Sequence, residues 1–150
     1  MSIISKLLVL MEVFRDTALI QRDDYTNAGK VSSHIKAMLK DFGVANDVLR
    51  RIAIACYEAE INMIIHSYGG KIEWWLNEDG WLLLAFIDDG PGISDLDKAL
   101  TPGFSTASLK AREFGFGAGM GLPNIKRVSD TFSITSSEKG THLEIGFQIG

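Results

Sequence analysis

The chain has 150 residues, 46% hydrophobic and 23% charged, enough for one domain with its own core and too apolar for a disordered chain. A net charge of −4 and a pI near 5.3 argue against a nucleic-acid-binding surface. The single cysteine, Cys56, excludes an internal disulfide and a cysteine-rich zinc site, and it fits a reducing compartment.

The N-terminal "MSIISKLLVLMEVFRD" has an uninterrupted apolar run only from Leu7 to Met11, with Glu12 behind it. That is too short for a signal peptide or a membrane span, so a cytoplasmic protein with no membrane contact is expected. Residues 11 to 21 mix Val13, Ala18, Leu19 and Ile20 with charges and predict a first strand. A helix follows, with Asp23 or Asp24 as its cap. Ala28, Val31, Ile35, Met38 and Leu39 stand at helical spacing, and Gly43 ends it. A second helix begins near Asn46 and stops at Gly69 and Gly70; it is apolar nearly all round, which predicts burial on more than one side.

Next comes a hairpin. "KIEWWLN" alternates Ile72, Trp74 and Leu76 against Lys71, Glu73 and Trp75, and "EDG" turns the chain into "WLLLAFI". That second strand is apolar without alternation and should lie centrally in its sheet. From Ser94 to Gly121 the pattern weakens, as it does in functional loops and lids. "LPNIKRVSD" predicts a helix, and "TFSITSS", "EKG" and "THLEIGFQIG" a closing hairpin with Phe132, Ile134, Leu143, Ile145 and Phe147 facing inward. The fold class is therefore α+β: a two-layer sandwich whose mixed, mostly antiparallel sheet carries helices on one face.

Four stretches hold residues suited to chemistry. On the second helix, Glu58 and Asn62 are four apart and His66 is one step further along the same face. The stripe is either solvated, or a carboxylate poised to take a proton beside an amide oxygen fit for a hard cation. Glu60 points to nearly the opposite side. "AFIDDGPGI" puts Asp88 and Asp89 at a strand end. This is a polar turn, or an acceptor for an amine with glycines that let the backbone close on a flat ring, or a metal-binding aspartate pair, for which nothing nearby in sequence supplies enough further oxygen ligands. "GFGAGMGLPNIKR" alternates Gly115, Gly117, Gly119 and Gly121 before a helix, as a hinge or as an anion cradle. Gly140 and Thr141 open the last strand and by themselves mark only a turn.

Taken in order, Glu-x-x-x-Asn, Asp-x-Gly-x-Gly, a glycine-rich segment before a helix, and Gly-Thr before a strand resemble the GHKL, or Bergerat-fold, ATPase superfamily. The resemblance runs from Glu58 to Thr141. Within it, "GFSTASLKAREFGFGAGMGLPNIKRVSD" is most similar to the stand-alone anti-sigma-factor serine kinases of the switch-kinase subgroup, with a lid lengthened by "ASLKAREFGF". The resemblance implies ATP and Mg²⁺ as cofactors, with the ATP lid between the Asp-x-Gly-x-Gly motif and the glycine-rich helix start. It implies that Asp88 accepts from the adenine amine with Thr141 assisting, and that Gly90 and Gly92 admit the base. It further implies that Asn62 holds the metal, that backbone N–H groups of Gly117, Gly119, Met120, Gly121 and Leu122 bind phosphates, and that Glu58 is the catalytic base or orienter. Lys110 and Arg112 would neutralise γ-phosphate charge.

The implied activity is that of a serine/threonine protein kinase acting on a STAS-domain protein in a partner-switching pathway. A sigma factor, a downstream phosphatase and a second copy of the chain are further candidate partners. The alternatives are a nucleotide-dependent anti-sigma factor or switch-binding module, and a non-catalytic ATP/ADP sensor. Retention of both Glu58 and Asn62 favours catalysis.

Overall fold

The structure is a computed structural model that describes residues 14–102 and 121–150. In chain order its elements are β1 (Phe14–Ile20), a 3-10 turn (Tyr25–Asn27), α1 (Lys30–Asp41), α2 (Asn46–His66), β2 (Gly70–Leu76), β3 (Trp81–Asp88), a short α3 (Leu96–Ala99), α4 (Gly121–Val128), β4 (Thr131–Ser137) and β5 (Gly140–Gln148). The strands form one sheet in the order β1-β2-β3-β5-β4. Every described pairing is antiparallel, so the expected mixed sheet is corrected to an antiparallel one: each neighbouring pair is joined without a parallel crossover.

Strand alternation decides what the sheet buries. Ile72, Trp74 and Leu76 of β2 face the same side as Leu82, Leu84 and Phe86 of β3 and Leu143, Ile145 and Phe147 of β5. All nine are buried. The helices cover this face; α2 packs between α1 and α4 and over β3. That explains why α2 is apolar nearly all round, with Leu49, Ile52, Ala55, Cys56, Ala59, Ile61, Met63 and Ile64 all buried. On the opposite face Trp75 is half-buried under the Arg15 guanidinium, 5.1 Å from its ring centre.

The start of α1 departs from expectation. Asp24 accepts from the Asn27 side chain at 2.9 Å and from Thr26, which closes the 3-10 turn. The α-helix begins at Lys30, six residues after Asp24, behind Gly29 in a left-handed conformation. Its free N–H groups are met from a distance. Glu60, 1% exposed, accepts from Gly29 N, Ser32 N and Ser32 Oγ at 2.9, 2.9 and 2.7 Å. A buried carboxylate thus caps the helix that its neighbour in sequence does not.

The end of α2 is tied to the end of β3. Ser67 Oγ donates to Met63 O at 2.6 Å and accepts from Gly69 N at 3.0 Å, closing the helix. Tyr68 N then donates to Gly90 O and Asp89 N to Gly69 O. These bonds set the polar stripe of α2 against the Asp88 turn.

Candidate functional site

Alternation along β3 carries Asp88 to the helix-covered face, two residues beyond Phe86. Its Oδ1 accepts from Gly90 N at 3.0 Å and from Thr141 N at 2.9 Å. Two backbone donors therefore fix the carboxylate through Oδ1, leaving Oδ2 without a hydrogen bond among the described residues. This geometry needs the β4–β5 turn to close onto β3. Gly140 has φ of 141°, and a Cβ there would land on Asp88 O; only glycine fits. Gly90 and Gly92 are under the same pressure. A Cβ on either would run into the backbone carbonyls of Glu138 or Ser137. Their lack of side chains thus has a cause in hairpin packing, beside any room it leaves for a ligand. Asp89 is exposed and turned away.

The stripe on α2 forms the facing wall: Glu58, Asn62 and His66 line the same cavity as Asp88 and Thr141. Partial burial pushes the Glu58 carboxyl above its ordinary range, opposed by a hydrogen bond from the Asn124 side chain on α4. Asn124 Oδ1 accepts from Arg127 at 3.1 Å, which leaves the Asn124 amide N–H groups for Glu58. α4 can approach because Gly121 has no side chain. A Cβ there would stand 3.0 Å from both polar atoms of the Asn62 carboxamide. Leu122 is buried, anchoring the helix start in the core.

The cavity has a volume of about 320 Å³, at the lower end of the range for small-molecule sites. Its walls include Ile61, Ile65, Ile93 and Leu143, so the polar groups stand at the edges of an apolar slot. An apolar slot has the shape for a flat ring, and the Asp88 and Glu58 carboxylates have the chemistry to accept from an amine and to take a proton. Among the described residues no three His, Cys, Asp or Glu side chains group to hold a metal. A cage made of the described side chains alone is thus not available there. One carboxamide oxygen, at Asn62, does suit a hard cation that brings phosphate oxygens and waters as its other ligands.

A family model described as the histidine kinase-like ATPase domain matches residues 22–147. The chain belongs to that family. Similar proteins include the serine/threonine-protein kinase RsbT of Bacillus subtilis, 33% identical over 70% of this chain and 76% of the relative. The anti-sigma F factor of Bacillus licheniformis is 30% identical over 86% of both chains. A solved structure of RsbU and RsbW domains from Mycobacterium tuberculosis superposes with a TM-score of 0.59 at 17% identity, which shows the shared fold. The match covers 89% of this chain and spans about a third, 32%, of that one.

On this histidine kinase-like ATPase domain, the structure brings Glu58, Asn62, Asp88, Gly92, Gly121, Leu122 and Thr141 around one cavity, with Gly90 in the adjoining turn. Gly117, Gly119, Met120, Lys110 and Arg112 lie outside the described residues. Two further residues at the site carry little signal in the sequence. Asn124 has no local signal beyond its place one turn into α4. Ser136 accepts from Ile93 N and bonds Thr141. It shares the inward parity of Phe132 and Ile134, which was the available clue. No helix among the described residues is long and apolar enough to cross a membrane.

Proposed function

We propose that the chain is a serine/threonine protein kinase of anti-sigma-factor type, transferring the γ-phosphoryl group of ATP to a serine of a small STAS-domain protein. The observation that carries this is a cavity shared by Asp88 and Thr141 at one edge and by Glu58 and Asn62 on the facing helix. Similarity to a serine/threonine kinase and to anti-sigma factors supports it.

In this reading the adenine ring enters the apolar slot and donates its amine to Asp88, helped by Thr141. Backbone N–H groups of Gly117, Gly119, Met120, Gly121 and Leu122 hold the phosphates at the start of α4. Asn62 is the residue that would hold Mg²⁺, which when bound neutralises phosphate charge. The partner's serine oxygen bonds to the γ-phosphorus as the bond to the β-bridging oxygen breaks. ADP leaves, and the serine proton passes to Glu58. Elevation of the Glu58 carboxyl by burial makes it a better proton acceptor than an exposed glutamate. The buried lone Cys56 fits our placement of this reaction in the cytoplasm.

The test is transfer of labelled γ-phosphate from Mg-ATP to a serine-bearing STAS-domain protein, with its Ser→Ala variant as control. Labelling of the serine supports the kinase. Nucleotide-dependent partner binding without labelling would instead make the chain a switch-binding module.

A further inference from the structure

Where β3 and β4 end and β5 begins, a hydrogen-bonded chain runs from the backbone toward the cavity. Ile93 N donates to Ser136 Oγ at 2.7 Å, and Ser136 Oγ lies 2.8 Å from Thr141 Oγ1. Register places these partners: Ser136 pairs with Thr141 across the β4–β5 ladder, and Ile93 lies just past the glycine turn that follows Asp88. Thr141 lines the cavity, whereas Ser136 is not among its lining residues. Ser136 therefore acts on an occupant only through Thr141 or Ile93.

Either hydroxyl could donate in the middle bond, and hydroxyl chemistry favours one direction. A hydroxyl has one hydrogen and two acceptor positions. Accepting from the Ile93 N–H polarises the Ser136 O–H and makes it the better donor of the pair. Donation from Ser136 to Thr141 then leaves the Thr141 hydrogen for the cavity. Asp88, held through Oδ1 by Gly90 N and Thr141 N, can only accept when ionised. An acceptor thus stands beside a donor. The complementary ring edge carries an amine next to an unprotonated ring nitrogen.

We infer that Ser136 is a positioning residue for base selection, holding the Thr141 hydroxyl as a donor so that Asp88 and Thr141 together read the amine and adjacent ring nitrogen of adenine. This presupposes that the cavity takes an adenine nucleotide, and it adds the side chain that sets the reading. A base with a carbonyl and a ring N–H at those positions meets the wrong polarity at both.

The experiment is calorimetric titration of the full chain with ATP and with 1-deaza-ATP, in which the ring nitrogen beside the amine becomes C–H. Wild type, Ser136→Ala and Ser136→Thr are compared. Wild type should bind ATP roughly three- to tenfold tighter than the analogue, the worth of one hydrogen bond. Ser136→Ala should weaken ATP and leave the analogue nearly unchanged, bringing the ratio toward one. Ser136→Thr, which restores a hydroxyl, should recover it. If Ser136→Ala weakens both ligands by the same factor, its role is merely structural and the inference is overturned. Equal wild-type affinity for the two also overturns it while leaving nucleotide binding intact. A folded wild type that binds no ATP is a different result, the failure of the nucleotide reading itself. Should Ser136→Ala not fold, Ser136→Cys fills the site with a weak donor, and an unchanged ratio there is equally fatal.

Discussion

Replacing Asp88 with asparagine separates the two jobs of its carboxylate. The amide oxygen can still accept from Gly90 N and Thr141 N, which now bond Oδ1 at 3.0 and 2.9 Å. The fold therefore keeps both bonds, in weaker neutral form, at a cost of about 1 kcal/mol. The other atom becomes an NH₂ donor where a bound adenine presents its own amine. A charge-assisted bond worth about 1.5–3 kcal/mol is lost, and two donors are left facing each other at a further cost of about 1–3 kcal/mol. A combined loss of about 2.5–6 kcal/mol corresponds to a fall in ATP affinity of roughly two to four orders of magnitude. Calorimetry with Mg-ATP, paired with urea unfolding of the same preparations, measures both quantities. A folded Asp88→Asn protein that binds ATP within tenfold of wild type would refute the assignment of Asp88 to the amine.

Glu58→Gln should keep nucleotide affinity within about threefold and lose phosphoryl transfer by roughly a hundredfold or more, the usual worth of a general base; initial rates with the protein substrate decide this. The same change should raise stability at neutral pH. The Glu58 carboxyl titrates above its ordinary range in the folded state, so its stability contribution is full below the unfolded pKa and is lost as pH rises through the folded one. A glutamine removes that loss, and the gap between variant and wild type in urea melts should close on acidification. Asn124→Ala deletes the bond that lowers the Glu58 pKa, so the acid limb of the kcat/KM profile should move to higher pH. Glu60→Ala strands Gly29 N, Ser32 N and Ser32 Oγ at about 1 kcal/mol or more each; thermal unfolding should then fall by roughly 6–12 °C, with ATP affinity in the surviving folded protein little changed.

What was legible in the sequence is what local periodicity encodes. The β2–β3 hairpin could be read because Ile72, Trp74 and Leu76 alternate, and all three are buried. The α2 stripe could be read because four-residue spacing puts Glu58 and Asn62 on one face, whatever else the helix touches. Glu60 shows the opposite case. Its partners lie 28 and 31 residues upstream, at the start of a helix whose position depends on Gly29 and not on Asp24. No local pattern announces a cap delivered across the fold. The glycines of the Asp88 turn were legible as a motif, but not as residues pressed by the β4–β5 backbone, because that contact exists only once the hairpin closes. Ser136 and Asn124 likewise gain meaning from tertiary neighbours, Thr141 across a ladder and Glu58 across a helix interface.

The most direct measurement is titration calorimetry of the folded wild-type chain with ATP in the presence of magnesium. One saturable site per chain is expected, its affinity reduced by Asp88→Asn and retained by Glu58→Gln. No heat of binding from ATP or ADP at millimolar concentration, with protein shown to be folded by its unfolding transition, would contradict the assignment of this cavity to a nucleotide.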